Sequence, residues 1–275
     1  MIGGSLGLAL KEKDPSLEIR VWARRPEALT PVEQLGFASL ATADLETAVR
    51  AAGSVVLCTP VETMPALARA FSPFLSSDAL VTDAGSVKAS VVAALEPLLG
   101  GRFVGAHPIA GSERAGIEAA RADLYEGATC AITPTSLSHP AAIQRCADLW
   151  TSAGCRLLTL RPLEHDAILA RTSHLPHAVA SALVLAAAEG ASGWENFVGG
   201  GYRDATRIAG SSPDLWTGIF LANQKEVSNS IADFVKILQK LRGALDAGDA
   251  GGLHRLLSEA RNCRERTRIS ETHGA

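Results

Sequence analysis

The feature that most constrains the fold is an alternation of short apolar runs and amphipathic helical stretches, which continues to about residue 160. The runs have the length and composition of strands, and the stretches between them have helical spacing. The predicted strands are residues 19–23, 54–59, 79–82, 103–106, 128–133 and 156–160, and the predicted helices are residues 27–35, 64–71, 87–99 and 143–153. This β-α-β rhythm predicts an α/β fold with a Rossmann-like, doubly wound, mostly parallel sheet that is covered by helices on both faces.

The second half of the chain has helical patterns only. Long helices are predicted at residues 163–189, 223–247 and 252–268, and a glycine-rich break at residues 199–201 divides them. The change of pattern predicts a dinucleotide-binding domain at residues 1–161 and an all-helical substrate and dimerisation domain at residues 162–275. Alanine-rich helix faces suit close packing or a homodimer interface.

Charge and cysteine content exclude several classes of protein. Lys and Arg number 26 against 29 Asp and Glu, so the net charge of −3 argues against a nucleic-acid partner. No apolar run reaches the length of a membrane span, and the N-terminus has no secretory leader pattern. An odd number of cysteines with no CxxC pair predicts reduced, mostly buried thiols in a cytoplasmic protein; they are Cys58, Cys130, Cys146, Cys155 and Cys263.

The start of the chain reads as the helix-opening end of a glycine-rich dinucleotide turn. The complete turn is G-x-G-x-x-G after a strand, and here the last glycine, Gly3, is followed directly by the helix. We interpret the sheet as N-terminally truncated, with the first strand and two glycines upstream of Met1, and expect weaker cofactor binding and lower stability. The alternative is that Gly3 and Gly4 form only a tight helix entry. An in-frame stop codon directly upstream of Met1 would exclude the truncation.

The end of the first predicted strand bears on the choice of cofactor. NAD sites commonly have an acidic residue there, about 20 residues after the glycine turn, to bind the ribose 2′-hydroxyl. Ala23 occupies this position and is followed by Arg24 and Arg25. Because arginine pairs well with a phosphate, the segment favours NADP over NAD, the alternative being that both arginines are solvated loop charges.

Polar motifs follow three further predicted strands. They are Thr59-Pro60, the Asp83–Ser86 turn and His107-Pro108. Carboxyl ends of parallel strands meet at one edge of a sheet and form its ligand crevice. These three turns are therefore expected to lie together.

An ordered set of motifs extends over nearly the whole chain. It consists of D-x-G-S-x-K at residues 83–88, H-P-x-x-G at 107–111, His165-Asp166, S-H-L-P-H at 173–177 and R-D-x-T-R-I-A at 203–209, with Trp216 beyond. Each motif is weak alone, but the ordered set resembles the prephenate/arogenate dehydrogenase family of tyrosine biosynthesis.

The resemblance implies an NAD(P)-dependent oxidative decarboxylase of prephenate or arogenate that forms a homodimer through its helical domain. It implies that His107 and Ser86 are catalytic and that Arg207 binds a substrate carboxylate. The other predicted pocket or gate residues are Glu113, His165, His174, His177, Asp204 and Trp216. The predicted cofactor contacts are Gly3, Arg24, Arg25, Thr59, Pro60, Asp83 and Ser86.

Several of these residues have a structural alternative. Ser86 precedes a helical run and has good N-cap chemistry, and Asp83 and Lys88 flank it and could serve to order the turn. His174 and His177 share a helix face. Because the sequence shows no third metal ligand, pocket lining or helix packing is preferred to a metal site for these two histidines.

Two other functions are compatible with the pattern. A hydroxyacid or imine reductase would share the two-domain plan but would leave the His107 and Arg207 motifs unexplained, and substrate profiling separates it. A non-catalytic dimeric relic would account for the incomplete nucleotide turn, and cofactor titration separates it.

Overall fold

The computed structural model describes residues 1–111, 116–190 and 192–272. The chain forms two compact units, Met1–Val227 and Ser228–Ala275. Every strand of the described residues lies in the first unit. Among the described residues, no helix combines the length and the apolar character that a membrane span requires.

A five-stranded sheet forms the framework of the first unit. The strands of the described residues are β1 (Arg20–Trp22), β2 (Leu40–Thr42), β3 (Ser54–Leu57), β4 (Leu80–Asp83), β5 (Phe103–Ile109), β6 (Thr129–Thr133) and β7 (Arg156–Thr159). The sheet has the order β3-β4-β5-β6-β7, and all its pairs are parallel except β5 with β6. The predicted Rossmann-like, mostly parallel sheet is confirmed.

A separate two-stranded parallel sheet pairs β1 with β2. Among the described residues, β1 and β3 each pair on one side only. The sequence pattern missed β2, because three residues with one exposed side chain are too short to show an alternation.

Both faces of the larger sheet are covered, as the apolar runs predicted. Leu80 and Val104 pack into a core with Trp150, whereas Val81 and Phe103 pack into a second core on the other face. Neighbouring residues of a strand point to opposite faces, so a strand buried on both sides is apolar at successive positions.

The helices of the first half lie close to their predicted positions, except for a short helix at residues 45–49 that was not predicted. They are α1 (Ile2–Lys13), α2 (Leu29–Gln34), α3 (Leu45–Val49), α4 (Met64–Phe71), α5 (Ala89–Leu99) and α6 (Pro140–Ser152). Gly7 of α1 lies against the ring of Phe37, and a Cβ there would overlap the ring. Glycine at this position lets the helix approach its neighbour.

The second half contains only helices among its described residues after β7, as predicted. They are α7 (Pro162–Leu169), α8 (Leu175–Gly190), α9 (Gly200–Thr206), α10 (Pro213–Ala222), α11 (Gln224–Asp246) and α12 (Ala250–Thr272). The glycine-rich break is shorter than predicted, because Gly200 and Gly201 form the first turn of α9.

The helix predicted at residues 163–189 is divided by a wide turn. A π-helical segment, Ala170–His174, separates α7 from α8. Pro176 cannot donate a hydrogen bond to the preceding turn, and the chain widens just before it. Such wide turns often occur at functional sites. The domain boundary predicted near residue 161 stays a prediction; within the first unit, α7 packs against α5 and β6.

Candidate active site

The carboxyl ends of β3, β4 and β5 carry the three predicted turns. Thr59 follows β3, Ser86 lies half-buried between β4 and α5, and His107 belongs to β5 itself. The strand β5 continues three residues beyond its predicted end, to Ile109, because it pairs with β6 as far as Thr129. His107 is therefore held by a strand and is 8% exposed.

A buried ion pair joins the turn after β4 to β5. Lys88 Nζ donates to the carboxylate of Asp83 and to the carbonyl oxygen of Ala106 at 2.7 Å. The Asp83 carboxylate also accepts from the backbone N–H groups of Gly85 at 2.9 Å and Ala106 at 3.1 Å. Both side chains are fully buried. The structure thus gives Asp83 and Lys88 the alternative role, ordering the turn beside His107, and a cofactor contact for Asp83 stays a prediction.

His107 is bonded to a second buried histidine. Its Nδ1 lies 2.9 Å from Nε2 of His165, and Nδ1 of His165 lies 2.8 Å from Oδ1 of Asp166. Burial, together with the neighbouring His165, Lys88 and His174, holds the pKa of His107 well below its ordinary value. His107 is therefore neutral at physiological pH.

His165 was predicted to line the pocket or its gate, and the structure shows which protein groups it contacts. Its side chain is fully buried, and its two ring nitrogens bond to His107 and Asp166. His165 belongs to α7, which packs against α5 and β6. Contact between His165 and a substrate stays a prediction.

Asp166 is one of the residues that sequence reasoning missed. Its carboxylate accepts the backbone N–H groups of Lys88 and Ala89, both at 2.8 Å, at the start of α5. These groups lack partners within a helix.

The alternative role of Ser86 as the N-cap is wrong, since α5 begins at Ala89 after Lys88 and its first N–H groups are bonded by Asp166. The only signal was the pair His165-Asp166, because the partners are 77 and 78 residues apart.

His174 and His177 both face Trp216, as their shared helix face predicted. His177 stacks on the indole with ring centroids 3.6 Å apart, and the His174 ring meets it edge-on at 6.1 Å. Burial lowers the pKa of His174 to about 4 and also lowers that of His177. Both rings are therefore neutral near pH 7. The described residues contain no cluster of three or more metal-ligating side chains.

Asn223 determines which nitrogen of His174 carries the hydrogen. Asn223 Nδ2 donates to the carbonyl oxygen of Asp166 at 2.9 Å and lies 3.2 Å from Nδ1 of His174. An amide nitrogen only donates, so Nδ1 of His174 accepts and its Nε2 carries the hydrogen. That Nε2 is buried and has no hydrogen-bond partner in the structure, and the same holds for Nδ1 of His177.

The remaining predicted residues lie at the surface of the first unit. Asp204 and Arg207 are exposed, and the elements that carry them pack against α8. Arg24 and Arg25 are exposed after β1, with Arg25 Nε 3.8 Å from Glu27 Oε1. Glu113 lies outside the described residues.

The strand ends fit a dinucleotide. Gly3 of α1 lies against the end of β3, where a Cβ would be 3.2 Å from the Cβ of Cys58. A Cβ on Gly85 would be 2.8 Å from Val61 and 2.9 Å from the Asp83 carboxylate. The Thr59 hydroxyl is buried without a partner. A glycine that lets the first helix approach a strand end is a feature of dinucleotide-binding turns, and the Thr59 hydroxyl is placed to bond a ligand at the same edge.

Two family models match the chain. One, described as prephenate dehydrogenase, nucleotide-binding domain, matches residues 6–159, and the other, described as prephenate dehydrogenase, dimerization domain, matches residues 161–259. Cyclohexadienyl dehydrogenase of Zymomonas mobilis is 33% identical over 96% of this chain and 92% of its own length. Prephenate dehydrogenase of Bacillus subtilis is 31% identical over 96% of this chain and 73% of its own length.

Solved structures agree with these matches. The structure of Aquifex aeolicus prephenate dehydrogenase in complex with hydroxyphenyl propionate and NAD+ has a TM-score of 0.91 at 34% identity and covers 97% of this chain and 94% of that one. Synechocystis arogenate dehydrogenase has a TM-score of 0.83 at 28% identity and covers 97% and 96%.

Proposed function

The chain belongs to the prephenate dehydrogenase family and is an NAD(P)-dependent oxidoreductase, and we propose that it decarboxylates prephenate or arogenate oxidatively with His107 as the base at the ring hydroxyl. The observation that carries this assignment is the position of His107, neutral and buried at the carboxyl end of a central strand.

The reaction removes a hydride from the ring carbon that bears the hydroxyl group and releases the ring carboxylate as carbon dioxide. When bound, the nicotinamide supplies the hydride acceptor. The hydroxyl oxygen must share its proton as the hydride leaves, so a neutral histidine within hydrogen-bond reach lowers the barrier. The oxygen ends as a phenol, and the base returns the proton to it. Ser86, in the turn beside the strand ends, is proposed to position both His107 and the cofactor.

The substrate carries two carboxylates, which require hydrogen-bond donors. The unpartnered Nε2–H of His174 is one such donor. Arg207 is proposed as the second, because a planar guanidinium pairs with a carboxylate and its turn packs against α8, which carries His177. Trp216 and His177 provide an aromatic wall, and Asp204 and Glu113 remain proposed pocket or gate residues.

We expect the purified protein to reduce its cofactor when either prephenate or arogenate is added, since both have the ring that becomes aromatic. Absorbance at 340 nm, followed with each substrate against NAD and NADP in turn, measures this and identifies the preferred pair. Folded protein that shows no turnover with any of the four pairs would contradict the proposed function.

NADP is the proposed preferred cofactor, because β1 is followed by Ala23, Arg24 and Arg25 without an acidic side chain at that point. Replacing both arginines with alanine is expected to raise the KM for NADP by about 10- to 100-fold, because one or two charged hydrogen bonds to the phosphate are lost. The KM for NAD should change by less than about threefold. Initial-rate kinetics with each cofactor check this.

Arg69→Ala is the matched control for the cofactor prediction. Arg69 is exposed near the end of α4, so its removal lowers the positive charge without touching the segment after β1. An equal change in both KM values in the double variant would contradict the assignment.

The helical region is proposed to form a homodimer. The second unit exposes apolar side chains on both of its helices, Ile231, Val235, Ile237, Leu238, Leu245 and Leu257. Exposed apolar surface of this kind is typical of protein interfaces. Light scattering during size-exclusion chromatography is expected to give the mass of two chains.

A further inference from the structure

The hydrogen bonds around Asp166 have a defined direction. Its carboxylate accepts from the backbone of Lys88 and Ala89 and from Nδ1 of His165. A carboxylate only accepts, so Nδ1 of His165 carries a hydrogen. In a neutral His165, the lone pair is therefore on Nε2, which faces Nδ1 of His107 at 2.9 Å.

The hydrogen-bond direction at His165 also fixes the tautomer of His107. Since Nε2 of a neutral His165 accepts, Nδ1 of His107 must donate. The lone pair of His107 is then on Nε2, the nitrogen that His165 does not occupy. This is the tautomer that can take the hydroxyl proton of a substrate.

The same contacts determine which histidine can carry the positive charge when the substrate proton is taken up. An imidazolium at His107 would be buried beside His165, Lys88 and His174, which disfavour it. An imidazolium at His165 would instead be 2.8 Å from the Asp166 carboxylate. Lys88 is already paired with Asp83, so the Asp83 charge is balanced locally.

From this geometry we infer that His165 and Asp166 are positioning residues that select the proton-accepting tautomer of His107 and receive the positive charge during the reaction. The inference rests on the proposed role of His107. As Nε2 of His107 takes the hydroxyl proton, its Nδ1 proton moves to Nε2 of His165, and the imidazolium is paired with Asp166. The two protons move back when the product oxygen is protonated, so no proton is gained or lost.

Two substitutions separate the parts of this relay. In His165→Gln, an amide oxygen can still accept from Nδ1 of His107, so the tautomer is kept, but the amide cannot take a proton. In Asp166→Asn, the carboxylate that fixes the tautomer of His165 and pairs with its charge is lost. Because Asp166 also bonds the start of α5, thermal unfolding of each variant is recorded alongside the kinetics.

Both variants are expected to lower kcat by roughly 100-fold with KM changed by less than about threefold. In Asp166→Asn, the acid limb of the kcat–pH profile is expected to move to lower pH, because the imidazolium has lost its carboxylate and binds its proton less tightly. Glu164→Gln is the matched control. It makes the same carboxylate-to-amide change two residues before Asp166, at a side chain that is about half exposed, and it should behave as the unaltered protein.

A spectroscopic measurement tests the tautomer without turnover. Nitrogen-15 NMR of histidine-labelled protein is expected to show His107, identified by its loss in His107→Asn, as a neutral ring with hydrogen on Nδ1. Hydrogen on Nε2 of His107 would overturn the inference, as would unchanged kcat and pH profile in both variants. Absence of turnover in the unaltered protein would instead refute the proposed function and leave the NMR result to decide the tautomer.

Discussion

Replacing His107 with asparagine is expected to lower kcat by about 100- to 10,000-fold, the usual contribution of a general base. The asparagine amide can still donate to Nε2 of His165, so the buried hydrogen bond of 2.9 Å is kept while the base is removed. Folding and the KM for the substrate should therefore change little. Steady-state kinetics and thermal unfolding measured on the same preparation check this.

His254→Asn is the matched control for this prediction. His254 is exposed on α12 in the second unit, so the same chemical change there should leave kcat within about twofold of the unaltered protein, as surface substitutions usually do. A fall of less than tenfold in His107→Asn would show that another group removes the hydroxyl proton.

Replacing Lys88 with methionine is expected to lower the free energy of unfolding by about 3–5 kcal/mol, the usual result of removing one partner of a buried ion pair. The Asp83 carboxylate would be left buried with only the N–H groups of Gly85 and Ala106 as partners. Urea denaturation at a fixed protein concentration measures the loss.

Two further variants identify the cause. Adding Asp83→Asn to Lys88→Met is expected to recover part of the loss, because the unpaired buried charge is removed. Lys13→Met removes one member of an ion pair that is 55% exposed at both side chains, and exposed pairs contribute at most about 1 kcal/mol. Equal losses in Lys88→Met and Lys13→Met would contradict a special role for burial.

The regular elements of the first half could be predicted because burial on both sheet faces shows directly in the sequence. The helix α4 has its predicted bounds, residues 64–71, and the first three residues of β4 and the first four residues of β5 lie in predicted apolar runs. The short strand β2 could not be predicted, since its three residues are stabilised by pairing with β1. The wide turn before α8 also escaped prediction, although Pro176 indicated some irregularity there.

The sequence predicted which residues lie at the candidate site better than it predicted the hydrogen bonds between them. His107 and the turn with Ser86 were expected at neighbouring strand ends, and the structure places them there. Lys88 was expected to help order that turn, but its complete burial was not evident from a charged residue in a polar motif. The roles of His165, Asp166 and Asn223 came only from their contacts.

The sequence by itself determined the mostly parallel sheet, the helical second half, the family and the strand ends at which the chemistry lies. These follow from periodicity, which reflects burial residue by residue, and from motifs confined to short segments. Only the tertiary structure decided which nitrogen of His107 and His174 carries a hydrogen. The contacts that set these tautomers join residues 58 and 49 positions apart. Hydrogen bonds act over only about 3 Å, so the partners become neighbours only when β5, α7, the π-helical segment before α8 and the end of α10 have packed together.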